Sequence, residues 1–172
     1  MVNKVVAKKR DGTLIKGTTS DFLPNKNIFN VHSRGYGTYN ISKVIVNELK
    51  AVFFVKKLEG NKASHSMPKK NIKPRQHTIG RHIKVFFQDG EVIDGLSHSL
   101  HLDRLGFFMT PADTTTNNER IFVVISSIEK IMVDDQIITF PVEQKIGKVC
   151  HICGNDIDPE WKYCPFDGTL MS

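Results

Sequence analysis

Residues 10–17, RDGTLIKG, return as QDGEVIDG at 88–95, so that Asp11, Gly12 and Gly17 fall on Asp89, Gly90 and Gly95. A self-match of this length constrains the chain more than any single motif, because two copies of one pattern are expected to fold as two copies of one unit. Each Asp-Gly lies between apolar runs, with VNKVVAKK or HIKVFF before it. That is the pattern of a hairpin whose glycine supplies the positive φ of the turn. Gly17 and Gly95 then fall inside the second strand, where a bend or a bulge is expected.

The match continues. NIFNV at 27–31 falls on GFFM at 106–109, and IVNELKAVFF at 45–54 falls on VISSIEKIMV at 124–133 with one residue inserted in the intervening loop. Each copy reads as five short strands in about fifty-five residues, the spacing of a small barrel. The dipeptides NE and SS predict a single 3₁₀ turn before each fifth strand, a detail common in SH3-like barrels. The expected fold is all-β: a first five-stranded SH3/Sm-like barrel at 1–58 and a second at 82–140. Between them, EGNKASHSMPKKNIKPRQHTIGR at 59–81 has the proline, small polar and basic composition of a linker. Residues 141–172 form a separate cysteine-bearing segment.

Charge divides along the same line. Residues 1–81 hold 17 Lys/Arg and 4 Asp/Glu, a balance of +13, whereas residues 82–172 hold 7 and 14, a balance of −7. The first half is therefore expected to attract nucleic acid, an acidic protein or a membrane surface, or else the second half of its own chain. There is no run of eighteen apolar residues and no signal-peptide pattern, which predicts a soluble cytoplasmic protein without a transmembrane segment. All three cysteines fall between 150 and 164, and in a reducing compartment such clustering points to metal rather than disulfides.

The segment CHICGNDIDPEWKYCPFDGTL, 150–170, opens with CxxC and closes with CxxD. Cys150 and Cys153 form one knuckle followed by Gly154, and Cys164 and Asp167 form a second followed by Gly168. Zn²⁺ accepts thiolate, imidazole or carboxylate in a tetrahedron, so Asp167 is the expected fourth ligand, with His151 or water as the alternatives. A closed set of three thiolates and a carboxylate predicts a structural site, since its net −2 charge around Zn²⁺ opposes activation of water. Trp161, Tyr163 and Phe166 are expected to pack round the knuckles or to face a partner. The stretch resembles short bacterial zinc ribbons ending in CPxDGTxL, and that resemblance carries the ligand role to Cys150, Cys153, Cys164 and Asp167.

Two further resemblances concern the strands. The run through GTTSDFLPNKNIFNV is similar to the first motif of Sm-like proteins, which implies RNA contacts from Asp21, Asn25 and Asn27. Arg34 and Gly35, however, fall between strands three and four, where the Sm pattern has no Arg-Gly, and the three polar residues also read as loop formers. GFFMTPADTTTNNERIFVV looks like an uncharacterised bacterial repeat associated with PilZ-type and response-regulator proteins, which implies a small barrel and, through Arg75 and Arg81, a cyclic-dinucleotide alternative.

His98, His101 and Asp103 could be drawn as a second metal site, but residues three apart on a strand face opposite ways. Arg120 reads as closing a loop by pairing with Asp113 or backbone carbonyls. No nucleophile elbow, P-loop or acid–base signature is present, so no enzyme is expected. The sequence reading is a non-enzymatic adaptor with a protein partner and a structural zinc site, with nucleic-acid binding through the basic half as the alternative. Oligomeric state stays open, because edge strands of such barrels can pair within or between chains.

Overall fold

The computed structural model describes residues 2–34, 38–59, 80–113, 115–140, 148–157 and 162–170. The expected linker lies almost wholly outside the described residues. The first half contributes β1 (Asn3–Lys9), β2 (Leu14–Thr19), β3 (Ile28–Arg34), β4 (Tyr39–Ile45) and β5 (Leu49–Val55). The second contributes β6 (Arg81–Phe87), β7 (Val92–Ser97), β8 (Gly106–Pro111), β9 (Asn118–Val124), β10 (Ile128–Val133) and β11 (Gln136–Thr139). Two short strands, β12 (Lys148–Val149) and β13 (Asp156–Ile157), follow. No α-helix occurs among the described residues, and none of their helices is long and apolar enough to cross a membrane. Single 3₁₀ turns stand at Val46–Glu48 and Ile125–Ser127, where NE and SS predict them.

Both Asp-Gly turns close in the same way. Lys9 N donates to Thr13 O at 2.8 Å and Phe87 N to Glu91 O at 2.9 Å, with Gly12 at φ +88° and Gly90 at φ +82°. Gly17 and Gly95 do not mark the expected bulge. β2 pairs with β1 through Gly17 without a register shift, and β7 pairs with β6 through Gly95 in the same way. The reason for glycine is the approach of the next strand. A Cβ at Gly17 would lie 2.3 Å from His32 O, and one at Gly95 would lie 2.3 Å from Thr110 O.

The strand order is β5-β1-β2-β3-β4 in the first half and β10-β6-β7-β8-β9 in the second. Two separate closed barrels are not what these strands make. Among the described residues no pairing closes either half on itself, and β5 pairs antiparallel with β9 instead, from Ala51↔Val123 to Phe54↔Arg120. The result is one open antiparallel sheet of eleven strands, with β4 at one edge and β11 at the other. β11, which the five-strand reading omits, pairs with β10 and is exposed along its length.

The junction explains why LKAVFFV does not alternate. β5 is covered on both faces, so its side chains enter two cores and the period-two signal disappears. Ala51 packs into the second-half core with Ile83, Val85, Phe107 and Ile131. In return Phe122 and Val124 of β9 pack into the first-half core with Val5, Phe29, Val31 and Leu49. Phe22 stands edge-on to Phe29, Phe54 and Phe122 at centroid distances of 5.0, 5.4 and 5.1 Å, which ties rings of both halves together.

Candidate metal centre

In the C-terminal segment two turns repeat one geometry. Gly154 N donates to Cys150 O at 2.7 Å, and Gly168 N donates to Cys164 O at 2.9 Å. Each glycine sits in the left-handed region, at φ +71° and +73°. Cys150 N donates to Asn155 O at 3.0 Å and Cys164 N to Thr169 O at 2.8 Å, so the matching pairs of amides are fixed alike. These turns bring Cys150, Cys153, Cys164 and Asp167 together, with one donor atom from each lying within 4.8 Å of all the others. The residues could hold a metal ion.

The donor set fits a tetrahedral ion. Ligands at ordinary zinc distances stand about 3.6–3.8 Å apart. Cys153 Sγ lies 3.5 Å from Cys164 Sγ, and Cys150 Sγ lies 3.2 Å from Asp167 Oδ2. None of the three cysteines is in a disulfide. Burial pushes the Cys153 thiol up to about 11, a cost that a bound cation would offset by stabilising the thiolate. For Cys150 burial acts in the same direction, but the Cys153 and Ile152 amides outweigh it and the net shift is downward. Asp167 is held well below the usual carboxylate range by the hydroxyl and amide of Thr169, the amide donating at 2.9 Å. His151 is exposed and does not belong to the group.

The expected aromatic cover is absent from the described part of the segment. Tyr163 and Phe166 are 62% and 65% exposed, while Trp161 lies outside the described residues. Cover comes instead from Ile157, which packs with the cysteines, and from the first half of the sheet. Ile28 of β3 lies so close to Gly154 that a Cβ there would stand 2.0 Å from Ile28 Cγ1. Buried Asn27 donates through Nδ2 to Gly154 O and accepts at Oδ1 from Asn47 N at 3.1 Å. Lys43 of β4 donates to His151 O at 3.2 Å and to Ile152 O at 2.6 Å. The first knuckle is therefore seated on β3 and β4, more than a hundred residues away in sequence. Sequence reasoning missed Lys43 and this use of Asn27, and no local pattern around either residue signals it.

Several other singled-out residues have structural partners. Asp21 accepts from Asn30 N at 3.0 Å, Asn30 Nδ2 at 2.8 Å and Thr19 Oγ1 at 2.9 Å, which makes it a loop former; Asn25 is exposed. Arg120 does not pair with Asp113. Its guanidinium lies over the Phe54 and Phe108 rings, at 4.3 and 5.0 Å, because β9 runs beside β5. Asp113 instead accepts from the Thr115 amide at 2.8 Å. Arg81 is 4.0 Å from Asp134; Gly35 and Arg75 lie outside the described residues. His98, His101 and Asp103 are exposed and form no ligand group among the described residues.

A second constellation, which sequence reasoning missed, joins the halves. Lys50 of β5 is 2% exposed; its ammonium lies 2.5 Å from Asp89 Oδ2, is bonded to Glu91, and sits 4.4 Å from the centre of the Phe87 ring. Lys8 reaches Glu91 at 2.7 Å. The opposite charges of the two halves thus meet in part across the junction. Beside them a cleft of about 230 Å³ is lined by Arg10, Lys50, Phe87, Gln88, Asp89 and Ser127.

No curated protein and no solved structure matches this chain. A family match runs over residues 1–134, covering the eleven-stranded sheet up to β10 and stopping short of the cysteines. The chain accordingly belongs to the Family of unknown function (DUF6982).

Proposed function

We propose that this is a non-enzymatic, cytoplasmic binding or adaptor protein, built on two related five-stranded units at 1–58 and 82–140 that share one sheet, and closed by a structural zinc ribbon at 141–172. One observation carries the reading. Four donors of closed-site chemistry converge on two matched turns, and the first of those turns is seated on β3 and β4. Zn²⁺ held by Cys150, Cys153, Cys164 and Asp167 would leave no place for a substrate water, so the ion fastens the segment to the sheet rather than performing chemistry. The exposed rings of Tyr163 and Phe166, with exposed Leu170, support a protein partner at the ribbon. The matching strand orders and identical Asp-Gly turns support the paired-unit description.

The test is elemental analysis and native mass spectrometry of full-length protein purified without chelator. One zinc per chain is expected, lost in Cys153→Ser and Cys164→Ser and more easily chelated in Asp167→Ala. Material with no bound zinc, or Cys153→Ser with undiminished zinc, would refute the reading.

A further inference from the structure

The outer face of the first half differs in character from the rest of the sheet. β1, β2, β3 and β4 contain no Asp or Glu. Their core-facing residues are settled by burial: Val5, Ala7, Phe29, Val31 and Val44 point inward. By strand alternation Lys16 and Thr18 of β2, His32 and Arg34 of β3, and Tyr39, Ile41 and Lys43 of β4 then share the opposite face. The register brings them side by side, with Thr18 opposite His32, His32 opposite Ile41, Arg34 opposite Tyr39 and Asn30 opposite Lys43.

Three features of this face point to one class of ligand. Away from the knuckle its charge is positive, since Lys16 and Arg34 are exposed and no acid of these strands opposes them, while at the other end Lys43 is engaged by the knuckle carbonyls and Asp21 by Asn30. It carries an aromatic ring, that of Tyr39, which is 64% exposed. And the ring is held in place: Tyr39 Oη lies 2.8 Å from His32 Nδ1, and the two rings are 5.6 Å apart. A lone acidic peptide would use the charge but not a fixed, uncovered ring. A duplex would offer phosphates but keeps its bases stacked on one another. A single strand has both a phosphate backbone for the cations and free base faces for the ring.

We infer that the outer face of β2, β3 and β4 binds single-stranded nucleic acid, with Tyr39 as the stacking platform and Lys16 and Arg34 along the phosphate path. The site differs from the loop at 21–27, whose Asp21 is occupied by Asn30 and Thr19 and whose Asn27 holds the knuckle. The seated knuckle bounds the face at its Lys43 end. The inference takes the binding-module reading further by naming a partner, but it rests on the sheet and not on the metal.

Fluorescence anisotropy tests it on full-length zinc-loaded protein, using labelled oligo(U) and oligo(dT) of about 12 nucleotides. Two phosphate contacts predict a slope of log affinity on log salt of about −1.4. Tyr39→Ala weakens binding by about tenfold or more, and Tyr39→Phe restores most of it, because the ring rather than the hydroxyl stacks. Lys16→Ala/Arg34→Ala brings the slope close to zero. RNA and DNA arms report whether the 2′-hydroxyl contributes, and either strand binding with these responses supports the inference. No binding at about 50 mM salt by folded protein overturns it, as does a Tyr39→Ala protein that binds like the parent. Displacement by polyglutamate as efficient as by unlabelled oligonucleotide also overturns it, in favour of an acidic protein. Zinc content measured on the same samples keeps the outcomes separate: binding lost with zinc present counts against the face alone, and zinc lost with binding intact counts against the ribbon.

Discussion

Asp89→Asn/Glu91→Gln removes both carboxylates that face the Lys50 ammonium while preserving the shapes of the side chains. The lysine is 2% exposed and the two carboxylates are 44% and 41% exposed, so the cation is the buried partner and the acids still reach water. Stripping a buried charge of its counter-ions costs about 3–5 kcal/mol, far more than exposed pairs contribute. Either single substitution leaves one carboxylate in place and is expected to cost about 1.5–3 kcal/mol, the scale of one charged hydrogen bond. Lys50→Met places an apolar chain of similar length against Phe87 and lets both acids turn to solvent; that change is expected to be neutral or stabilising by about 1–4 kcal/mol. In the Lys50→Met background the double acid substitution should then cost almost nothing. Urea unfolding with a common m-value measures the parent and all five variants. A double variant that loses less than about 1 kcal/mol, or a Lys50→Met protein as unstable as the double variant, would refute the claim that the buried ammonium depends on these two acids.

The same cluster predicts a pH response. The Lys50 hydrogen bond holds the Asp89 pKa down, and for Glu91 the bonds from Lys50 and Lys8 outweigh burial, so both acids are lowered. Their contribution is therefore complete above the unfolded values of about 4 and is lost as pH falls through the lower folded values; the parent should lose stability more steeply than Lys50→Met in acid titrations followed by circular dichroism. Gly154→Ala puts a methyl group 2.0 Å from Ile28 at φ +71°, and faster hydrogen exchange in β3 and β4 is expected, while Gly168→Ala, which meets nothing within 4 Å, should spare those strands. Gly17→Ala sets a Cβ 2.3 Å from His32 O and should destabilise the fold by about 1–3 kcal/mol in urea. Phe122→Ala opens the first-half core from a second-half strand and should cost about 3–5 kcal/mol. Residues 1–58 expressed alone should fail to give a cooperative monomer by calorimetry, because β5 would lack β9.

What could be read in the sequence was local. Asp11-Gly12 and Asp89-Gly90 carry their turn chemistry in two residues each, and the Cys150–Gly154 and Cys164–Gly168 turns in five, so short-range spacing was enough to place them. The β5–β9 pairing was not legible, since the edge of a strand has no sequence signature and backbone ladders accept any partner. Lys50 went unread for a related reason. Inside LKAVFFV a lysine suggests a solvent-facing position, and only the second half, folded against it, supplies the acids that make burial tolerable. Tyr163 and Phe166, expected to pack round the knuckles or to face a partner, are exposed, and it is Ile28 and Lys43 of β3 and β4 that meet the first knuckle. Asn27 was noted for its loop chemistry, and its actual bond spans 127 positions.

β11 has a consequence of its own. The rim of β10 answers to the rim that β5 presents to β9, and the four residues Gln136–Thr139 lie along it. A third unit of the same kind would meet there the short edge of β11 rather than that of β10. Removing these four residues would put the longer edge of β10 in their place, the counterpart of the edge by which β5 holds β9, and so offer a second copy a place to add on.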